Sequence, residues 1–348
     1  MTAPPLRPRG TTAAPGNRYE QLRVERDEEP DGSEPTRFYR DASRTILAEN
    51  RSPDVGFRYS VNPYRGCEHG CIYCYARPSH EYLGFDAGLD FESRIMVKDD
   101  APALLRRALA SPRWEPQVVA LSGNTDCYQP VERRLRLTRR CLEVFADFRN
   151  PVGVITKSAL VARDADLLGA LARHGAAQVA VSVTTLDPEL ARRMEPRAAQ
   201  PARRLEAIAT LAAAGVPVTV MVAPVIPGLT DEEMPRILAA AAAAGARSAA
   251  WTLVRLAQPL DALFDEWLAR SYPDRRARIL GRIRQTRRGR LNDTTFGQRH
   301  RGVGAHAAQI AALFAVSARK VGLDRALPAL STAAFRRPPA RGDQLALF

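Results

Sequence analysis

With 348 residues, 45% of them hydrophobic, the chain can bury a large core as one domain with extensions. Its net charge of +13 points to an acidic partner such as nucleic acid. Only five cysteines occur, three of them close together, which excludes a secreted disulfide framework and suits a reducing, cytoplasmic compartment. The N-terminus Met1-Thr2-Ala3-Pro4-Pro5 lacks the apolar stretch of a signal peptide. Residues 207–230 carry no charge, but Gly215, Pro217, Pro224 and Pro227 divide them into a helix end, a buried strand and a loop. No membrane partner is expected.

Residues 1–40, rich in Pro, Gly, Arg and Glu, read as a disordered or loosely packed arm, with ordered sequence from about Ile46. Short β-rich runs then alternate with amphipathic stretches. Strands are predicted at 57–62, 117–121, 152–156, 178–183, 217–222 and 249–254. Helices are predicted at 102–110, 131–148, 165–174, 202–214 and 232–244, the last ended by Gly245. Six βα units predict an α/β fold, a partial (β/α)6 TIM-like barrel over 41–258. Its ligand-binding loops lie at the carboxyl ends of the strands, which gathers the cysteine segment with 122–126, 156–158, 182–185, 224–227 and 255–258. Residues 259–330 read as a basic helical extension and 331–348 as a flexible tail.

The most specific segment is Gly66-Cys67-Glu68-His69-Gly70-Cys71-Ile72-Tyr73-Cys74-Tyr75, a C-x3-C-x2-C triad. Three thiolates this close converge on one metal centre yet leave it one ligand short. A structural zinc takes four protein ligands, whereas an iron-sulfur cubane on three cysteines keeps one iron open for a small molecule. A zinc knuckle completed by His69 or His80 is the competing reading. His69, between the first two cysteines, reaches back awkwardly and reads as a polar loop residue.

Tyr73 completes the pattern C-x3-C-x-aromatic-C, and with it the segment resembles the radical S-adenosylmethionine (radical SAM) enzymes. The resemblance implies a [4Fe-4S] cluster on Cys67, Cys71 and Cys74, with S-adenosylmethionine (SAM) chelated at the open iron and Tyr73 beside it. It implies reductive cleavage of SAM to methionine and a 5′-deoxyadenosyl radical, with the electron drawn from a donor such as flavodoxin or ferredoxin. The open barrel of that family matches the six βα units, an independent agreement. After the second strand, Ser122, Gly123, Asn124, Thr125 and Asp126 fall where the family binds the methionine ammonium, although such a run is also an ordinary turn. Lys157 ends the third strand with a compact ammonium suited to the methionine carboxylate or a substrate phosphate, or else snorkels from the rim. Ser182 and Thr184 are candidates for the ribose hydroxyls or methionine.

The flanks Asn62-Pro63-Tyr64-Arg65, Cys74-Tyr75-Ala76-Arg77 and Ile155-Thr156-Lys157-Ser158 resemble the branch related to spore photoproduct lyase, whose radical splits a damaged thymine dimer. That resemblance implies hydrogen transfer by Tyr75. The further cysteine hydrogen donor of that branch has no counterpart in 122–126, and Cys127 substitutes only if its loop turns it inward. Cys141 reads as packing. Radical initiation on a DNA base or lesion is the expected function. RNA or a protein side chain is the alternative substrate, and a clamp-tethered DNA-binding module with a structural metal is a third reading.

Between Arg270 and Arg301 eleven arginines face two aspartates, Asp274 and Asp293, so nine of the thirteen excess positive charges sit there. Such a run suits DNA, or is a solvated face. The terminal Gln344-Leu345-Ala346-Leu347-Phe348 resembles the pentapeptide by which bacterial polymerases and repair proteins dock on the DNA sliding clamp, here behind a Pro/Arg/Gly linker.

Overall fold

Valine-rich runs of alternating burial separated by alanine- and leucine-rich helices dictate the architecture. The computed structural model describes residues 9–19 and 35–339. Its strands are β1 (Arg37–Arg40), β2 (Leu47–Glu49), β3 (Tyr59–Val61), β4 (Tyr64–Arg65), β5 (Arg94–Val97), β6 (Val119–Leu121), β7 (Val152–Thr156), β8 (Ala177–Ser182), β9 (Val218–Val225) and β10 (Ser248–Leu253). Strands β3, β6, β7, β8, β9 and β10 are parallel and lie side by side in chain order, with β2 antiparallel on the outer edge of β3. An order without reversal is that of a partial barrel, not of a doubly wound sheet. These are the six strands expected from the sequence.

Along β7, β8 and β9 buried residues alternate with half-buried ones. Val154, Val179, Val181, Val218 and Val220 pack with Leu168, Leu171, Ile208, Leu211 and Ile237 of the outer helices. The intervening Ile155, Gln178, Ala180, Thr219 and Met221 face the other way and stay partly accessible. The helix expected at 131–148 divides into Glu132–Leu135 and Leu137–Phe148, because Arg136 adopts φ +53° between them.

Three expectations need correction. The supposed loose arm is ordered over its described parts: β1 pairs with β5, and Gly10 and Thr11 are buried against the cysteine loop. A Cβ on Gly10 would lie 1.8 Å from the Gly70 carbonyl oxygen, so only glycine fits. Described residues of the expected flexible tail also pack. Ser331 N donates to Gly175 O (2.9 Å), Arg336 N donates to Phe148 O (2.9 Å), and Phe335 lies against Phe148, all at the end of the barrel where the strands begin. Gln344–348 lies outside the described residues.

The third correction concerns the basic segment, which is partly structural. Helices Leu260–Ser271, Pro273–Gln285 and Ala305–Lys320 follow the barrel. Between the last two, the chain forms a clasp between the edges of the open sheet. Leu253 N donates to His300 O (2.9 Å) on the β10 edge, and Gly297 N donates to Asp54 Oδ1 (2.7 Å) in the turn between β2 and β3. Arg299 pairs with Asp54. Arg287, fully buried, donates to Leu253 O, Val254 O and Arg299 O. Among the described residues no helix is long and apolar enough to cross a membrane.

Candidate metal and cofactor site at the barrel mouth

The parallel strands all end on one side, and the cysteine loop crosses that mouth. It is fixed through its backbone. Cys67 N donates to Phe91 O (2.9 Å) and Ile72 N to Met194 O (3.0 Å). Gln129 spans the loop, accepting from Glu68 N (2.9 Å) and donating to Gly66 O (3.2 Å). Arg77, fully buried, donates through Nε to Cys71 O (3.0 Å), through Nη1 to Gly88 O (2.9 Å), and pairs with the equally buried Glu92.

Cys67 and Cys71 are buried and Cys74 is half-buried. Burial first, then Asp126 and the neighbouring Cys74 and Cys71, pushes the Cys67 thiol well above its usual range. Cys71 is raised in the same way, by burial first and by Glu195 and Cys74 after it. Cys74 packs in one cluster with Cys67 and in another with Cys71, so the three thiols are neighbours and form the donor set that a three-cysteine cluster requires. Among the described residues no three His, Cys, Asp or Glu side chains close on a single ion.

His69 is buried, not a polar loop side chain. Its Nδ1 lies 3.5 Å from Asp126 Oδ2, and burial pulls its pKa down to about 4. His80 packs its ring against Phe85 and Phe91.

Asp126 gathers the mouth. It accepts from Thr156 Oγ1 (2.8 Å), Lys157 N (2.8 Å) and Tyr128 N (2.8 Å). Lys157 Nζ donates to Ala223 O (3.1 Å) and lies 5.8 Å from the Tyr73 ring centre. Its surroundings pull the ammonium pKa down, by desolvation first, against the opposing pull of Cys71, Asp126 and Cys74. Tyr73, Thr184, Asp126 and Lys157 therefore meet beside the cysteines. Tyr75 is 56% exposed, and its hydroxyl donates to Gly123 O (3.1 Å).

Other predicted residues build the loop instead of facing its contents. Ser122, at φ +81°, donates to Thr125 O (2.7 Å) and accepts from Cys127 N (3.1 Å). Thr125 Oγ1 donates to Tyr64 O, and Asn124 bridges Asn62 and Ser79. Gly123 approaches Ser60 so closely that a Cβ would lie 2.6 Å from the serine Cβ. Ser182 contributes a carbonyl that accepts from Arg204 (3.0 Å). Cys127 is not at the mouth: its loop turns it into the core among Leu121, Cys141 and Leu142, with no exposure.

The match of a family model decides what these cysteines belong to. The model described as Radical SAM superfamily matches residues 61–241, more than half of the chain. The chain belongs to the radical SAM superfamily. A relative in Mycobacterium tuberculosis, Uncharacterized protein Rv2578c, is 41% identical over 232 residues, 65% of this chain and 68% of its own length. One in Methanocaldococcus jannaschii, Uncharacterized protein MJ0683, is 29% identical over 178 residues, 51% of this chain and 64% of its own. Among solved structures, spore photoproduct lyase complexed with dinucleoside spore photoproduct superposes with a TM-score of 0.58 at 17% identity, covering 82% of this chain and 79% of that one.

In this radical SAM protein, a buried network that the motifs do not announce holds Tyr73. The Tyr73 hydroxyl donates to Glu195, which also accepts from Thr184 Oγ1 (2.9 Å) and pairs with Arg204. Glu195 and Arg204 are each 1% exposed. The only sequence signal for them is charge beside apolar positions that face the barrel.

Proposed function

We propose that Cys67, Cys71 and Cys74 hold a [4Fe-4S] cluster and that the protein acts on a DNA base. The observation that carries the reading is the meeting of three neighbouring thiols with Lys157, Asp126 and Tyr73 at the open end of a parallel barrel. When bound, the cluster supplies the electron that cleaves SAM to methionine and a 5′-deoxyadenosyl radical. The remaining tasks fall to the chain. Lys157 offers the cation for the methionine carboxylate, Asp126 fixes the Lys157 backbone, and the network of Glu195 and Arg204 holds Tyr73 beside the cofactor. Since Cys127 is packed in the core, Tyr75 is the side chain at the mouth able to return a hydrogen.

DNA as substrate is supported by the arginines of 270–301 and by likeness to the fold of spore photoproduct lyase. A base enters such a mouth only when taken out of its stack. Docking of Gln344–348 on the sliding clamp belongs to the same reading. Anaerobic reconstitution with iron and sulfide, then dithionite and SAM, tests the chemistry. 5′-Deoxyadenosine is the expected product, its release rising when DNA is added. No 5′-deoxyadenosine would overturn the radical reading, and turnover indifferent to DNA would overturn the substrate.

A further inference from the structure

Arg255 follows β10 at the mouth, half-buried, and among the described residues its guanidinium makes no hydrogen bond or ion pair. An arginine with five donors in a desolvated place costs stability unless something accepts them. Its electrostatic neighbours are Arg299, which disfavours its charge, and Tyr75 and Asp54, which favour it; burial is the larger effect and lowers its pKa. The clasp segment flanks Arg255 on both sides, since Leu253 N donates to His300 O (2.9 Å) and Leu256 N donates to Leu291 O (3.2 Å). The Arg299 guanidinium in turn covers the ring of Phe296 at 4.9 Å, and Phe296 is 59% exposed. Arg299 is already neutralised by Asp54, whereas Arg255 is not. An open cation, an exposed aromatic face and a fixed backbone between them are the parts used to hold an unstacked nucleotide.

We infer that this flank of the mouth is a nucleotide-receiving site, in which Arg255 binds a phosphate of the DNA strand and Phe296 stacks on an adjoining base. The inference rests on the DNA reading above and adds to it the residues that seat the strand. The local charge suits the occupant: Arg288, Arg290 and Arg301 are exposed around the same clasp, and its nearby carboxylates, Asp54 and Asp293, are already engaged by Gly297 N with Arg299 and by Thr295 N. The clasp is pinned to the barrel, so the two contacts are offered in a fixed relation with little ordering left for binding to supply.

The test uses reconstituted holoenzyme and a short fluorescein-labelled single-stranded DNA, with anisotropy followed over a series of KCl concentrations. Arg255→Gln is expected to weaken binding about ten-fold and to reduce the magnitude of the salt slope by about 0.7, one phosphate contact on a single strand. Phe296→Ala is expected to weaken binding about ten-fold with the slope unchanged, and to abolish quenching of a 2-aminopurine placed in the oligonucleotide. SAM affinity, read by equilibrium dialysis, should stay at the wild-type value in both. Neither substitution removes a side-chain hydrogen bond, so both variants should stay folded; Arg255→Gln should melt no lower than the wild type, and Phe296→Ala should melt only slightly lower through the lost Arg299 stacking.

Wild-type affinity and slope in Arg255→Gln would overturn the site and leave the DNA reading standing. Loss of SAM in place of DNA would reassign Arg255 to the cofactor carboxylate and likewise overturn it. Absence of DNA binding in the wild type, with SAM cleavage intact, would remove both readings.

Discussion

At the scale of single residues, the cysteine loop depends on charges placed where no water reaches them. Arg77 and Glu92 are both fully buried, and Arg77 also holds Cys71 O while Glu92 accepts from Gly10 N. Breaking one side of such a pair leaves the other charge buried and unpaired. Glu92→Gln should therefore destabilise the protein by about 3–5 kcal/mol in urea unfolding and lower the iron retained after reconstitution. Lys157→Ala, which removes the cation beside Cys71, should weaken SAM binding about 10–100-fold in equilibrium dialysis.

His80, 1% exposed against Phe85 and Phe91, titrates at about 4 because burial opposes its charge more than Asp90 favours it. An unfolded histidine titrates near 6.5, so between these values the unfolded chain takes a proton that the folded one refuses. Stability from His80 is fully present above about pH 6.5 and falls toward pH 4, by about 3 kcal/mol. In His80→Gln this part of the pH dependence should vanish from urea midpoints. Asp86 acts in the opposite sense. Burial and Asp90 raise it to about 7, so its contribution is lost as pH rises through that value.

Among elements, the clasp and the loop after β6 show what sequence could and could not disclose. The six strands were legible because valine alternation and flanking helices are local signals, and the C-x3-C-x2-C triad because cluster ligands need close spacing. The order of the described N-terminal residues has no signal in composition, which cannot register Gly10 touching Gly70. Cys127 was open in the sequence because its direction depends on Ser122, whose strained φ of +81° is held by two hydrogen bonds. Glu195 and Arg204 carry no local signal because their partners are set by packing, and the loop 255–258 is placed at the mouth by the strand count without showing that the Arg255 guanidinium has no partner among the described residues. Arg287 and Arg299, counted among the basic residues, proved to be spent on backbone carbonyls and on Asp54. Asp54→Ala should free the clasp, raising amide exchange of Gly297 and the residues around it, and cost about 1–3 kcal/mol by removing the carboxylate that neutralises Arg299 and accepts from Gly297 N.

For the whole molecule, the run ending at Arg337 braces the side of the barrel opposite the cysteines. Phe335 packs on Phe148, and Arg337 donates to Ser111 O and Trp114 O. Truncation after residue 330 should cost about 1–2 kcal/mol through the lost burial of Phe335, read as a lower urea midpoint.

The clasp also bears on how the molecule comes into being. Its bonds join residues 243 and 247 positions apart, Gly297 to Asp54 and Arg299 to Ser52. Contacts of such separation are costly to form before the intervening chain is ordered. The helices and the central strands have nearer partners, so the flank beside Arg255 is completed late, after synthesis has passed residue 299. Until then nothing in the clasp joins Leu253 on the β10 edge to Asp54 in the turn before β3, and the two edges of the sheet are held only through the strands between them.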